Sequence, residues 1–313
     1  MTNDYLLHLA MALKATGYSF TTVTPATHAR VNSRLKNAWA RNATDVFGWS
    51  RPFREDAISP QLFEAMRNAE VLDTQGAGWI SRVRASTLRG QLFLHSAYPT
   101  MASDAIFFGP DSYRFANAIA QYLSNNLASD ARVRRAIDIG CGAGPGAVVV
   151  ALERPEAEVF AVDINDKALR YTAVNARLAG AARVAVQHSN LLDAVDGDFD
   201  LIVANPPYLL DAQARTYRHG GGSFGEGLSL AIAGLAQTRL APGGTLLLYT
   251  GTTIIEGTDQ FLAAVAPILG DTSLEWDYQE IDPDVFGEEL VEPAYAEADR
   301  IAAVLLTARR TRS

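Results

Sequence analysis

A proline-rich segment, Asn205-Pro206-Pro207-Tyr208, directly follows the apolar run Phe199–Ala204. Two adjacent prolines remove two backbone donors and fix two φ angles, so this segment cannot continue a strand. It predicts a stiff loop that presents a carboxamide, carbonyls without local donors and an aromatic ring, which together suit the binding of a planar NH2 group. The alternative is an ordinary strand-ending turn, since Asn-Pro is a common turn dipeptide.

A glycine-dense turn lies upstream, in Asp138-Ile139-Gly140-Cys141-Gly142-Ala143-Gly144, and its Asp138 is 67 residues before Asn205. Glycines let the backbone approach a ligand closely and reach φ values that other residues avoid. Pro145 suits the first turn of the apolar helix that follows, because its missing N–H costs nothing there. Asp163 ends the next apolar run, nineteen residues after Gly144. An acid at that place in a βαβ unit accepts hydrogen bonds from ribose hydroxyls.

Together these segments resemble the S-adenosylmethionine-binding turn and the catalytic NPPY loop of class I methyltransferases that methylate planar nitrogens. The sequence resembles the release-factor glutamine methyltransferase family in particular, over roughly residues 108–308. The segment Phe107–Tyr113 stands where that family has an arginine-proline-aspartate-threonine-glutamate segment, and His219–Leu228 resembles its glycine-rich stretch after NPPY. The resemblance implies S-adenosyl-L-methionine as the cofactor and the glutamine side-chain amide of a protein as the methyl acceptor.

Charge and geometry suggest how such a site works. A sulfonium already carries an excellent leaving group, so neither a metal nor a covalent enzyme intermediate is required. The amide nitrogen is a poor nucleophile because its lone pair is delocalised. The side-chain carbonyl of Asn205 and the backbone carbonyl of Pro206 are expected to accept its two N–H protons, which localises the lone pair and aims it at the methyl carbon.

We therefore expect three groups of site residues. The catalytic residues are Asn205, Pro206 and Tyr208, of which Tyr208 stacks on the acceptor. The cofactor-binding residues are Asp138, Gly140, Cys141, Gly142, Gly144, Asp163, Ile164, Asn190, Leu191 and Asn205. The substrate-binding residues are Pro207, Tyr208, Phe108, Tyr113, His219 and Glu226. Structural roles remain open for the last four, as core aromatics, a solvated loop histidine and a helix-starting acid.

The sequence departs from the family pattern mainly on the substrate side. Asn190 stands where the family has an acid, although its carbonyl can also accept from the adenine amino group. Gly109 replaces the upstream arginine, and Asp211–Arg215 replaces a glutamate-proline pair. An RNA, DNA or small-metabolite N-methyltransferase therefore stays open. A nucleotide-linked oxidoreductase that uses the same glycine turn, and an inactive binding subunit, are more remote alternatives.

Composition is compatible with a cytoplasmic enzyme that has no membrane partner. The 313 residues are 48% hydrophobic, enough for a large core, but no apolar run approaches the ~20 residues that span a bilayer. The N-terminus, with Asp4 and no basic leader, does not resemble a secretory signal. The single Cys141 cannot form an internal disulfide, as expected in a reducing cytoplasm. No metal-ligand spacing is present, and the oligomeric state stays open.

Charge is distributed unevenly along the chain. Residues 1–110 hold eleven Lys/Arg and eight Asp/Glu, whereas residues 111–313 hold sixteen and twenty-seven. The segment from Asp271 to Asp299 has eleven acids and no base. Because nucleic-acid enzymes need cationic surface, this balance weighs against a DNA or RNA acceptor and favours a cationic protein, peptide or amine. An acidic, solvated surface without a binding role is the simpler alternative.

The hydrophobic pattern predicts an α/β fold with three parts. Residues 1–90 are predicted as a mainly helical substrate-recognition or cap domain, with helices at 4–14, 26–43 and 60–71. Residues 91–110 are predicted as a connecting β-hairpin, in which Gln91–His95 pairs with Ala105–Phe108 around Pro99. Residues 111–313 are predicted as the methyltransferase domain, with helices that start near Ser112, Pro145, Asp166, Gly225 and Gly257.

Seven strands are predicted in this last part, at 134–139, 158–163, 183–188, 199–204, 244–250, 274–280 and 300–307. Their alternation with helices indicates a doubly wound, Rossmann-like sheet covered on both faces. The resemblance implies that the last strand runs antiparallel. Ligands bind beyond the carboxyl ends of such strands, near the switch in strand order. Asp138, Asp163, Asn190 and Asn205 all lie at or just past these ends, so one crevice can collect them.

Overall fold

The computed structural model describes residues 2–125, 133–211, 215, 217–270 and 272–312. Its first part contains three α-helices, α1 Thr2–Ala15, α2 Pro25–Asn32 and α3 Pro60–Asn68. The hydroxyls of Thr24 and Ser59 cap α2 and α3 by accepting hydrogen bonds from backbone amides of the first turn. The first and third predicted helices are thus confirmed in position.

The second predicted helix, 26–43, is much too long. After α2 the chain forms only a 3-10 turn, Leu35–Asn37, and a π turn, Thr44–Gly48. The Asn37 amide donates to the carbonyl of Val31 at 2.8 Å, and the Asn32 amide donates to the carbonyl of Trp49 at 2.8 Å. Side-chain amides that bind backbone carbonyls in this way offer the chain an alternative to continued helix.

Two β-hairpins follow, and of their four strands the prediction contained only the one at Gln91–His95. They are β1 Leu72–Gln75 with β2 Gly78–Ser81, and β3 Val83–Leu88 with β4 Gln91–Ser96. The predicted pairing of Gln91–His95 with Ala105–Phe108 is wrong, because residues 105–108 form no strand. Arg89 and Gly90 both have positive φ, and this two-residue turn pairs β4 with the strand before it.

The second part alternates helices and strands, as predicted. Its helices are α4 Pro110–Asn125, α5 Pro145–Glu153, α6 Asp166–Leu178, α7 Gly227–Arg239 and α8 Gln260–Gly270. Its strands are β5 Arg135–Ile139, β6 Glu158–Asp163, β7 Ala185–His188, β8 Phe199–Ala204, β9 Leu240–Ile255, β10 Thr258–Asp259, β11 Leu274–Asp282 and β12 Arg300–Arg310. Two strands match the prediction at both ends, and β9, β11 and β12 are longer than predicted.

The main sheet has the order β11-β12-β9-β8-β5-β6-β7, and the short β10 pairs with β9. Strands β7, β6, β5, β8 and β9 run parallel to one another. The last strand, β12, runs antiparallel to both β9 and β11, as the resemblance implied. Strand order reverses between β5 and β8, so a crevice opens beyond their carboxyl ends.

The first part is fixed to the sheet through α6. Asn175 on α6 accepts a hydrogen bond from the amide of Leu94 on β4 at 2.8 Å and donates to the carbonyls of Leu94 and Ala143 at 2.9 and 2.8 Å. A single apolar cluster includes residues of α1, β4 and α6. Because this cluster joins both parts of the chain, it does not divide them, and the domain boundaries at residues 90 and 110 stay a prediction.

Candidate active site

A cavity of about 200 Å³ lies beyond the carboxyl ends of β5, β6 and β8. Most of the predicted site residues line it, namely Asp138, Gly140, Cys141, Gly142, Asp163, Ile164, Asn190, Leu191, Asn205, Pro206, Pro207 and Tyr208. Because these residues come from four separate stretches of chain, the parallel sheet is what brings them together.

The glycine-dense turn forms the floor of this cavity. Gly140 and Gly142 have φ values of +68° and +56°, and the space where a Cβ would stand is open at both. The amides of Gly140 and Cys141 both donate to the carbonyl of Val162 at 2.9 and 3.0 Å. The turn is thus held against β6 while its outer surface stays bare, which lets a ligand approach the backbone closely.

Two carboxylates flank the turn, the buried Asp138 and the half-buried Asp163. Asp138 is 1% exposed and accepts a hydrogen bond from the amide of Ala147 at 2.8 Å. Burial, together with the charge of Asp163, raises the pKa of Asp138 to about 7. Asp163 accepts from the amides of Gly142 and Asn165 at 3.0 and 2.9 Å, and burial raises its pKa also. Among the described residues neither carboxylate forms a salt bridge, although the charge of His188 opposes the rise in the pKa of Asp163. The cavity therefore favours a positively charged ligand.

Cys141 faces the cavity as an inert side chain. It is 3% exposed, and the Thr172 hydroxyl donates to its sulfur at 3.4 Å. Burial and the charges of Asp163 and Asp138 raise the pKa of the thiol well above its usual value. Since the thiolate is the reactive form, this environment is that of a packing residue and not of a nucleophile.

The first two residues of the NPPY loop carry acceptors without a hydrogen-bond partner in the described chain. Asn205 and Pro206 line the cavity, and within the described chain neither the Asn205 carboxamide nor the Pro206 carbonyl takes part in a hydrogen bond. Polar groups that are satisfied inside the protein are not available to a ligand. Here the two acceptors at the end of β8 remain available.

The side chain of Tyr208 is fixed by Asp111 at the start of α4. Asp111 belongs to the segment Phe107–Tyr113 but was not predicted as a site residue. The Tyr208 hydroxyl donates to Oδ2 of Asp111 at 2.8 Å, and the Tyr249 hydroxyl donates to Oδ1 at 2.8 Å. The Tyr208 ring packs against Phe286 at 5.9 Å between centroids and covers Gly251, where a Cβ would come within 2.1 Å of the ring. Tyr208 is therefore 7% exposed, a fixed wall of the cavity.

The glycine-rich stretch supports the loop. The Gly220 amide donates to the carbonyl of Leu209 at 2.9 Å, and a Cβ at Gly225 would lie 2.3 Å from the carbonyl oxygen of Tyr208. Glu226 accepts hydrogen bonds from the amides of Ser223 and Phe224 at 3.1 and 2.7 Å. These close backbone contacts explain why the stretch contains several glycines.

Five predicted site residues lie outside the wall of the cavity. Glu226 shapes the glycine-rich stretch, and His219 is exposed with its Nδ1 accepting from the amide of Asp211 at 3.2 Å. Gly144 begins α5 with a φ of +83°. Phe108 stacks on His95 at 4.9 Å, and the Tyr113 hydroxyl accepts from the amide of Thr22 at 2.9 Å. The last two aromatics join the first part of the chain to the sheet.

Other residues line the cavity without having been predicted. Phe107, and not Phe108, faces it, and its ring stacks on Tyr217 with centroids 6.3 Å apart. Arg218 and Phe286 line it as well. Arg218 forms an ion pair with Glu289, so the acidic segment closes one side of the cavity. No sequence motif predicted a role for these residues. Phe107 is the first residue of the segment Phe107–Tyr113, and Arg218 directly precedes the segment His219–Leu228. Residues 212–214, in the segment Asp211–Arg215 that stands in place of the family's glutamate-proline pair, lie outside the described residues.

The described part of the chain contains no group of three or more His, Cys, Asp or Glu side chains able to hold a metal ion. Among the helices in that same part, none has both the length and the apolar character needed to cross a membrane.

Comparison with known proteins identifies the central region. Residues 112–253 match the family model "Methyltransferase small domain". The release factor glutamine methyltransferase of Xylella fastidiosa is 37% identical over 130 residues, which are 38% of this chain and 47% of that protein. The ribosomal protein uL3 glutamine methyltransferase of Bordetella pertussis is 34% identical over 174 residues, 50% of this chain and 57% of that protein. The chain spans about half the length of the curated relatives it matches.

Solved structures agree on the fold. A Pyrococcus horikoshii protein superposes with a TM-score of 0.50 at 12% identity, over 74% of this chain and 73% of that one. Such a likeness bears on fold alone, whereas the family match bears on residues 112–253, which include most of the cavity wall. Residues 112–253 of this chain are therefore similar to the methyltransferase small domain.

Proposed function

We propose that this protein is an S-adenosylmethionine-dependent N-methyltransferase that methylates the side-chain amide of a glutamine in a protein. The observation that carries the proposal is a pair of acceptors that form no hydrogen bond within the described chain, the Asn205 carboxamide and the Pro206 carbonyl, on the wall that also holds the glycine turn. Two curated relatives are described as glutamine methyltransferases, one acting on a release factor and one on a ribosomal protein. A protein acceptor is therefore the first choice.

The residues that line the cavity suit S-adenosylmethionine by their charge and by the space that they leave. Asp138 is buried and Asp163 is half-buried, neither forms a salt bridge in the described chain, and the cofactor carries two positive groups, a sulfonium and an ammonium. The bare backbone of Gly140 and Gly142 allows a close approach. We assign the ribose hydroxyls to Asp163 and the adenine edge to Asn190 and Leu191. When bound, the cofactor supplies an electrophilic methyl group on a good leaving group.

The residues of the NPPY loop orient the acceptor. The Asn205 and Pro206 carbonyls accept the two N–H groups of the amide, which fixes the plane of the nitrogen and localises its lone pair. Tyr208 and Pro207 flank that plane as rigid apolar walls. Rate is gained by positioning and by fixed dipoles, so no side chain in this scheme is required as a nucleophile.

An Asn205→Ala variant tests the proposal. We expect calorimetry to give an S-adenosylmethionine affinity close to that of the wild type, and methyl transfer to fall by at least ~100-fold. Full turnover by this variant would contradict the assignment. Titration of the wild type with NAD separates the oxidoreductase alternative, since this proposal requires S-adenosylmethionine binding and no comparable heat with NAD. With its single cysteine buried, the protein suits a reducing compartment such as the cytoplasm.

A further inference from the structure

A second cavity, of about 30 Å³, lies in the first part of the chain between α2, β3 and β4. Arg84 on β3, His28 on α2 and His95 on β4 line it, together with hydroxyl-bearing residues. None of the described residues that line it is Asp or Glu. The wall therefore combines one cationic side chain with polar and apolar residues.

Arg84 is a buried cation without a paired anion. The residue is 5% exposed, its Nε donates to the carbonyl of Gly48 at 2.9 Å, and its buried Nη2 has no hydrogen-bond partner. Within residues that the structure describes, no carboxylate forms an ion pair with it. Burial lowers the pKa of the guanidinium to about 10, so it stays charged at neutral pH. An uncompensated buried charge is costly, and a bound anion removes that cost.

The two histidines do not add charge. Burial and the neighbouring Arg84 lower the pKa of His28 to about 4 and that of His95 well below its usual value. Nε2 of His95 shares a hydrogen bond of 2.8 Å with the Ser86 hydroxyl. Arg84 is thus the one charged group on the described wall, and a single negative charge balances it.

The position of this cavity connects it with methyl transfer. Phe107 lines both cavities, so the Arg84 site and the site of the NPPY loop are neighbours that share this residue. Tyr217, which lines the larger cavity, stacks on Phe107 and donates to the carbonyl of Thr100 in the smaller one at 2.6 Å. A cavity of this volume has room for a group about the size of one or two waters, which suits a carboxylate better than a phosphate.

We propose that the Arg84 cavity is a subsite for a carboxylate group of the methyl acceptor. The binding of a carboxylate stands on the cavity alone, whereas its assignment to the acceptor rests on the proposed function. The first part of the chain then contributes to acceptor selection through Arg84, with the guanidinium as the recognising group.

Thermal unfolding with sodium formate as the probe tests the subsite without turnover. At constant ionic strength, replacing chloride by formate at about ten times its dissociation constant is expected to raise the Tm of the wild type by about 2 °C. The rise should vanish in Arg84→Met and in Val23→Phe, which keeps Arg84 but fills the cavity rim. Arg82→Met removes a neighbouring exposed arginine paired with Asp73 and should keep the rise.

Three outcomes of that measurement would overturn the subsite. They are an equal Tm in chloride and formate for the wild type, an unchanged rise in Val23→Phe, and a rise that Arg82→Met loses as well. If Arg84→Met does not fold, the wild type and Val23→Phe still decide the question.

Acceptor pairs test the assignment to the acceptor. Acetyl-Gly-Gln with a free terminal carboxylate is expected to show kcat/KM about 10-fold higher than its amidated form, and this ratio should fall to about 1 in Arg84→Met. Equal kcat/KM for the two forms in the wild type would overturn the assignment. Formate binding without methylation of either peptide would contradict the proposed glutamine acceptor while supporting the subsite.

Discussion

The hydroxyl of Tyr208 donates a 2.8 Å hydrogen bond to Oδ2 of Asp111, a carboxylate 97 residues earlier in the chain. This contact ties the last residue of the NPPY loop to the first turn of α4. Asp111 is 4% exposed, and burial raises its pKa, although the hydroxyls of Tyr208 and Tyr249 and the charge of Arg114 oppose that rise. The loop is thus stiff at both ends, by its prolines and by this anchor.

A matched pair of tyrosine variants tests the anchor. Tyr208→Phe and Tyr249→Phe each remove one hydrogen bond to Asp111, and each is expected to lower the free energy of unfolding by about 1 kcal/mol. Only Tyr208 belongs to the NPPY loop, so kcat should fall about 10-fold in Tyr208→Phe and stay within about 2-fold in Tyr249→Phe. Equal kcat values in the two variants would show that Asp111 supports the fold and not the loop.

The pH dependence of stability tests the buried Asp138. Its pKa is about 7 in the folded protein against 3.8 for the free side chain, so between these values the folded state binds more protons than the unfolded state. Stability contributed by this group is therefore lost as the pH rises to about 7. The Tm of Asp138→Asn minus that of the wild type should increase from pH 5 to pH 8. A difference that stays flat over this range would contradict the assigned environment.

The same carboxylate is expected to complement the charged cofactor. S-adenosylmethionine should bind the wild type more weakly below pH 7, where Asp138 becomes protonated, and Asp138→Asn should reduce the affinity about 10-fold at pH 8 and remove most of this pH dependence. Calorimetric titration of both proteins at pH 6 and pH 8 measures this. Unchanged affinity in the variant at pH 8 would exclude Asp138 from the cofactor site.

Two glycine variants test the support of the NPPY loop. Gly225 has a φ of +96°, and a Cβ there would come within 2.3 Å of the Tyr208 carbonyl oxygen, whereas Gly234 in α7 has open space around it. Gly225→Ala is expected to lower the free energy of unfolding by about 1–3 kcal/mol and turnover by at least about 10-fold. Gly234→Ala should stabilise the helix by about 0.5–1 kcal/mol with unchanged turnover. Thermal unfolding and methyl-transfer assays on both variants decide between support of the loop and a general effect of alanine.

Cys141→Ala tests the absence of covalent catalysis. Because the thiol is buried and its pKa is raised, the variant should retain turnover within about 3-fold. Loss of all methyl transfer, with cofactor binding intact, would mean that the sulfur takes part in the reaction.

The sequence predicted that the residues at the strand ends meet in one cavity, and the physical reason is local. Strands β6 and β8 are short apolar runs bounded by turn residues, so the sequence pattern predicts both ends of each strand. Residues at the ends of parallel strands must meet, and this rule alone brings Asp138, Asp163 and Asn205 together.

The part of the cavity around the NPPY loop depends on contacts that no local pattern encodes. In the sequence, Asp111 resembles an ordinary acid in the first turn of a helix, where the helix dipole favours a negative charge. Its hydrogen bond with Tyr208 depends on the path of the chain between the two residues. Phe107 and Phe108 are adjacent and equally apolar, and only the exit angle of the chain decides which one lines the cavity. The predicted hairpin was wrong because it placed the turn at Pro99. The turn that forms is Arg89-Gly90, where both residues have positive φ.

The most direct test of the central claim is tandem mass spectrometry of candidate acceptors after incubation with S-adenosylmethionine and this protein. Release factor, ribosomal protein uL3, tRNA and adenine-containing DNA are assayed in parallel. The proposal predicts a single added methyl group on the side-chain nitrogen of a glutamine in a protein acceptor, absent with Asn205→Ala. Methyl transfer to nucleic acid alone, or failure of the wild type to bind S-adenosylmethionine, would contradict it.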